Sequence, residues 1–129
     1  MLPFSVTLRP GLPVQELVTF AVTRAVVSGQ LRPGDPFPSV RALSQELRIN
    51  PNTAHRIVAS LVDDGLLEVR PGIGTAVSAL RPGSAAERRA VLETDIERLV
   101  VAARRAGIAL QEAVAALRRQ WHATTPEDR

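Results

Sequence analysis

One stretch limits the fold more than any other: Asn-Pro-Asn-Thr-Ala-His-Arg-Ile-Val-Ala-Ser-Leu-Val-Asp-Asp-Gly, residues 50–65. Asn50 is a favourable N-cap, and Pro51 at the first helical position costs nothing because that N–H has no partner in a helix anyway. Gly65 stops the run after Asp64. Directly after it come Leu-Leu-Glu-Val-Arg (66–70), a Pro-Gly-Ile-Gly turn (71–74) and Thr-Ala-Val-Ser-Ala-Leu (75–80). These are two short β-runs around a glycine-containing tip. Upstream, residues 13–28 place apolar side chains at 14, 17, 18, 21, 25 and 26, which is helical spacing, with Pro13 suited to the first turn and Gly29 to the left-handed position beyond the last. The Pro- and Gly-dense segment 31–38 reads as a loop. Residues 39–47 read as a second helix with Ser39 as N-cap and positions 40, 43, 44 and 47 facing inward. Three helices and a hairpin within about 70 residues describe a winged helix–turn–helix.

A chain of 129 residues suits one such domain plus an appendage. After Arg-Pro-Gly-Ser (81–84) the composition shifts to Ala, Arg and Glu. Leu92, Ile96, Leu99 and Ala103 follow steps of four, three and four; after Gly107, Leu110, Val114, Leu117 and Trp121 repeat them. Two amphipathic helices of this length cannot enclose a separate core. Their stripes must be buried against the first domain or a second chain. The expected architecture is mainly α with a small β-hairpin: a winged helix–turn–helix domain over 1–80, then a two-helix element over 81–129, a dimerisation element where the partner is a second chain. Trp121 reads as a packing anchor, and Thr-Thr-Pro-Glu-Asp-Arg (124–129) as a frayed tail.

Composition excludes several classes. No run approaches 18 apolar residues and no charged segment leads into an apolar one at the start, so neither a membrane span nor a signal peptide is expected. The absence of Cys fits a cytoplasmic location and leaves no thiol chemistry. All 16 basic residues are Arg and there is no Tyr, so a small positive excess yields a pI of 11.2. The net charge of +3 is the better guide, and it is compatible with a polyanionic partner. Catalysis finds no support, because neither His55 nor His122 belongs to a Ser-His-Asp or metal pattern. Glu93 and Glu97 share a helix face but have Arg neighbours and read as solvated surface.

Placed at about 100° per residue, the third helix turns Ala54, Ile57, Val58 and Leu61 inward. Opposite them lie Asn52, Arg56, Ala59 and Ser60, flanked by Thr53 and His55. Asn can pair with adenine and Arg with guanine in a major groove, each good pair being worth roughly 1–3 kcal/mol of discrimination. Small Ala59 permits close approach, and no acidic side chain intervenes before Asp63. A polar helix face is more often merely solvated, and winged helices also serve as protein-interaction modules, so the fold by itself does not establish DNA binding.

Residues 28–77 resemble the DNA-binding domain of the GntR family of bacterial transcriptional regulators. The resemblance rests on Ser-Gly-x-Leu-x-Pro-Gly-Asp (28–35), Pro-Ser-x-Arg (38–41), Asp-Gly-Leu (64–66) and Gly-x-Gly-Thr (72–75). Asn-Pro-Asn-Thr at 50–53 and a C-terminal part of only two helices resemble the YtrA-like branch. The resemblance implies that Arg41 holds a phosphate or base, that Thr53 binds the DNA backbone, and that Arg56 is a basic residue of the YtrA-like pattern. His55 stands where the broader family more often has Arg. Gly72 and Gly74 match a wing tip that approaches the minor groove, although on turn chemistry alone they need only make a tight hairpin. Ile73 stands where many relatives carry a cation. The candidate DNA-binding set is therefore Arg41, Asn50, Asn52, Thr53, His55, Arg56, Ser60, Gly72, Gly74 and Thr75. The candidate dimer set is Leu92, Ile96, Leu99, Leu110, Val114, Leu117 and Trp121.

By the same resemblance, the expected function is a homodimeric repressor on double-stranded DNA, reading a palindromic operator with helix 50–64 in the major groove, with transporter genes as a typical target. Two histidines cannot assemble the metal site of longer family members, and no cofactor is expected. Nothing in the residues identifies a small-molecule effector; the interface of the last two helices in a dimer, or the space between it and the winged helix, could hold one. The competing class is a protein-interaction module without sequence-specific DNA binding.

Overall fold

The computed structural model describes residues 1–125, so positions 126–129 of the expected frayed tail lie outside the described residues. One compact unit spans Met1–Leu80 and a second Arg81–Thr124.

In the first unit, α1 (Val14–Val27), α2 (Val40–Leu47) and α3 (Pro51–Asp63) precede an antiparallel hairpin of β1 (Leu67–Arg70) and β2 (Gly74–Val77). Each boundary has a local cause. Ser39 accepts a hydrogen bond from the Ala42 N–H at 3.1 Å, and Asn50 from the Asn52 N–H at 2.8 Å, so both expected N-caps are made. Gly29 and Gly65 take φ of 82° and 80° just beyond α1 and α3. Pro13 caps α1 rather than entering it. Beyond α2 the left-handed position falls on Arg48, with φ 55° and ψ 48°. Both the Arg48 and Ile49 N–H groups donate to the Ser44 carbonyl there. Among the described residues Arg48 alone has a positive φ without being glycine.

The core is the meeting of three helical stripes with the base of the hairpin. Val18 and Val22 of α1, Leu43 of α2, Ile57 and Leu61 of α3, and Leu67 and Val77 of the strands are fully buried. Helix α3 packs on α1, α2 and β1, which leaves its opposite side outward. The spacing of α1 passed over Val22, yet Val22 completes its buried stripe. An extended N-terminal strap alternates Leu2, Phe4, Val6 and Leu8 onto this core, and the Phe4 ring stacks on Phe37 with centroids 5.8 Å apart. The strands are shorter than the β-runs of the sequence. Leu66 remains in the turn after α3, while Gly74 joins β2 and pairs with Arg70. The loop between α1 and α2 lies along β2: Gly34 N–H to Val77 C=O, Val77 N–H to Asp35 C=O and Phe37 N–H to Thr75 C=O are each 2.8 Å.

The second unit opens on a capping box, with the Glu87 N–H donating to Ser84 Oγ and the Ser84 N–H to Glu87 Oε1. The long helix expected over 85–106 is present but not uniform. It runs as α4 (Ala85–Arg89), a π-helical segment (Ala90–Asp95) and α5 (Ile96–Arg105). Gly107, with φ 76°, turns the chain into α6 (Leu110–Ala123). Ala103 is buried, whereas Leu92, Ile96, Leu99, Leu110, Leu117 and Trp121 are exposed and Val114 is half-buried. No helix among the described residues is long and apolar enough to cross a membrane.

Candidate nucleic-acid interface

The polar side of α3 is built from its inward side. Ala54, Ile57 and Leu61 are fully buried and fix the rotation of the helix, with Val58 half-buried beside them. That rotation leaves Asn52, His55, Arg56 and Ala59 exposed and Thr53 half-buried. No carboxylate belongs to this surface of α3 before Asp63. Arg41, in the first turn of α2, is exposed as well. Among the described residues neither Arg41, Arg48 nor Arg56 has a carboxylate within ion-pair distance, so their charge is not neutralised locally. Asn50 is partly committed: its side-chain oxygen caps Asn52, leaving its amide N–H groups to donate. Ser60 stands apart from the rest. It is half-buried and lines a groove with Glu16, Thr19, Phe20 and Thr23 of α1.

The hairpin tip presents a different chemistry. The Ile73 N–H donates to the Arg70 carbonyl at 3.0 Å across Pro71-Gly72, the arrangement of a type II turn, which demands the positive φ of 76° at Gly72. Gly74 has φ 120°. A Cβ added at either glycine would meet nothing within 4 Å, so both are required by backbone dihedral rather than by crowding. Ile73 is 82% exposed at the tip, and Val69 is exposed behind it. Thr75 is half-buried opposite Val69, its carbonyl occupied by Phe37. Arg70 donates to Glu68 on the same strand face at 2.9 Å. The Arg70 cation is thus partly neutralised within the wing, a pairing that the i, i+2 spacing on one strand face makes available.

In the second unit, Ile96, Leu99, Leu110, Val114 and Leu117 line one groove of about 310 Å³ together with Ala103. Leu92 and Trp121 lie outside it. Among the described residues no group of three or more His, Asp or Glu is arranged to hold a metal ion.

Comparison with known proteins agrees with this architecture. The family described as "Bacterial regulatory proteins, gntR family" matches residues 14–77, from the start of α1 to the end of β2. The HTH-type transcriptional repressor YtrA of Bacillus subtilis (strain 168) is 28% identical over 105 residues, 81% of each chain. The HTH-type transcriptional regulator Rv1152 of Mycobacterium tuberculosis is 32% identical over 88 residues, 68% of this chain and 73% of that protein. A transcriptional antiterminator from Listeria monocytogenes EGD-e shares the fold at a TM-score of 0.81, with 20% identity over 98% of this chain and 95% of that one. On its matching winged helix–turn–helix and on relatives aligned over most of their length, the chain belongs to the gntR family of bacterial regulatory proteins, where it is similar to YtrA.

Proposed function

We propose that the chain is a sequence-specific DNA-binding transcriptional repressor acting as a homodimer on a palindromic operator. The observation that carries this reading is the outward side of α3, where Asn52, His55 and Arg56 stand free of carboxylates on a helix held by a fully buried opposite side. Inserted in a major groove, Asn52 and Arg56 supply donors and acceptors for base edges, while Thr53 and Arg41 bind phosphate and set the docking register. The groove between α5 and α6 joins two copies, so two recognition helices read half-sites about one helical turn apart. The wing, with Ile73 at its tip and Arg70 paired to Glu68, adds shape complementarity rather than charge. By its likeness to YtrA, the target class is a transporter operon near the regulator's own gene.

The test is fluorescence anisotropy with a labelled fragment from upstream of the protein's gene, in excess nonspecific competitor, at two salt concentrations. The expected result is tight binding that weakens steeply with salt and survives competitor. Arg56→Ala is expected to lose roughly 1–3 kcal/mol of preference for the operator while keeping part of its nonspecific affinity. A second reading, a protein-interaction module, draws on the exposed Val69 and Ile73. It is favoured instead if the chain binds neither operator nor competitor DNA at either salt concentration.

A further inference from the structure

The π-helical segment in the long helix accounts for a sequence pattern that uniform helical spacing leaves unexplained. Two apolar doublets, Val91-Leu92 and Leu99-Val100, lie eight residues apart, with Ile96 between them. Eight residues of α-helix rotate about 800°, some 80° past two full turns, so on an uninterrupted helix the doublets would not share a face. In this chain the Ile96 N–H donates to the carbonyl of Val91, five residues back, and the turn holds one extra residue. An extra residue in one turn absorbs about that excess rotation. We infer that the π-turn of residues 90–95 serves to align Val91 and Leu92 with Ile96, Leu99, Val100 and Ala103 in one seam that receives a second copy of this chain.

The occupant follows from area. Val91, Leu92, Ile96, Leu99 and Val100 are all exposed in the single chain, and Ile108, Leu110 and Leu117 of the same unit are exposed too. Such side chains, about half exposed, offer on the order of 700 Å² per copy, close to what each partner of a standard interface contributes. This inference rests on the homodimer proposed above and adds to it Val91 and Val100, which the four-three-four stripe omitted. Without the π-turn Val91 would face away from Ile96, as Val101 does. Val91 and Val101 are 53% and 61% exposed, so they form a matched pair that only the seam distinguishes.

The test is sedimentation equilibrium of the full chain and four variants. Val91→Ala is expected to weaken the dimer roughly tenfold, since two copies lose packing, and Val101→Ala to leave it within about twofold. Deleting Thr94, exposed within the π-turn, restores α-helical phase and is expected to weaken the dimer more than Val91→Ala does, whereas Thr94→Ala is expected to match wild type. Circular dichroism should show equal helix content throughout. A dimeric wild type in which Val91→Ala and Val101→Ala behave alike, or in which the Thr94 deletion dimerises normally, overturns the role given to the π-turn. A monomeric wild type overturns the homodimer itself and the seam with it.

Discussion

Replacing Arg48 by glycine should make the protein more stable, although it deletes a side chain and adds backbone freedom. Arg48 closes α2 in the left-handed region, at φ 55° and ψ 48°, because the chain must reverse there to begin α3. A left-handed conformation costs an L-residue roughly 1–2 kcal/mol that glycine does not incur. Against this, glycine's wider freedom in the unfolded chain returns roughly 0.4–1 kcal/mol. The Arg48 side chain is exposed and has no ion pair among the described residues, so little packing is lost. The balance is a gain of about 0.5–1 kcal/mol, or about 2–8 °C in Tm for a unit of this size. Arg48→Ala removes the same side chain but keeps the left-handed cost, and should stay within about 0.5 kcal/mol of wild type. Thermal unfolding of the three proteins at one fixed concentration reads the difference, since association makes Tm depend on concentration. If Arg48→Gly melts at or below Arg48→Ala, the backbone strain assigned to this turn is refuted.

Ile57→Ala removes a fully buried side chain behind the candidate reading surface and should cost about 2–5 kcal/mol in urea unfolding with the m-value unchanged; a loss below about 1 kcal/mol would show that the site collapses around it. Asn50→Ala should destabilise by about 0.5–2 kcal/mol through loss of the cap on Asn52, whereas Asn50→Asp should keep the cap yet weaken DNA binding by adding an anion beside the phosphates. Equal DNA affinity for wild type and Asn50→Asp would remove Asn50 from the interface.

Helix α3 was legible because its caps, its inward residues and its stop are all local: Asn50, Pro51 and Gly65 act on neighbouring backbone, and the inward set follows from one helical period. The strap was not legible. Leu2, Phe4, Val6 and Leu8 alternate as a strand would, but what holds them is Phe37 and a core assembled from α1, α2, α3 and the hairpin, partners that no local pattern names. The π-turn escaped because a fixed rotation per residue was imposed on 85–106; the signal was the eight-residue repeat of apolar doublets. The partial withdrawal of Ser60 toward α1 likewise depends on how α1 crosses α3, which spacing within α3 does not contain. The Glu68–Arg70 pairing was available from alternation along β1, but only once the strand's extent was fixed.

The loop laid along β2 has a consequence for how the protein behaves at high concentration. A two-stranded sheet presents open flanks on which another chain can add a strand, the usual route to aggregation. On the β2 flank that route is closed by the loop's own sequence. The Asp35 N–H turns back to the Arg32 carbonyl at 3.0 Å, the Phe37 N–H is spent on Thr75, and Pro36 and Pro38 have none. No backbone donor from 35 to 38 is left to pair with an incoming strand. The same prolines that break the helical pattern between α1 and α2 therefore close the β2 flank of a small, exposed hairpin to an incoming strand.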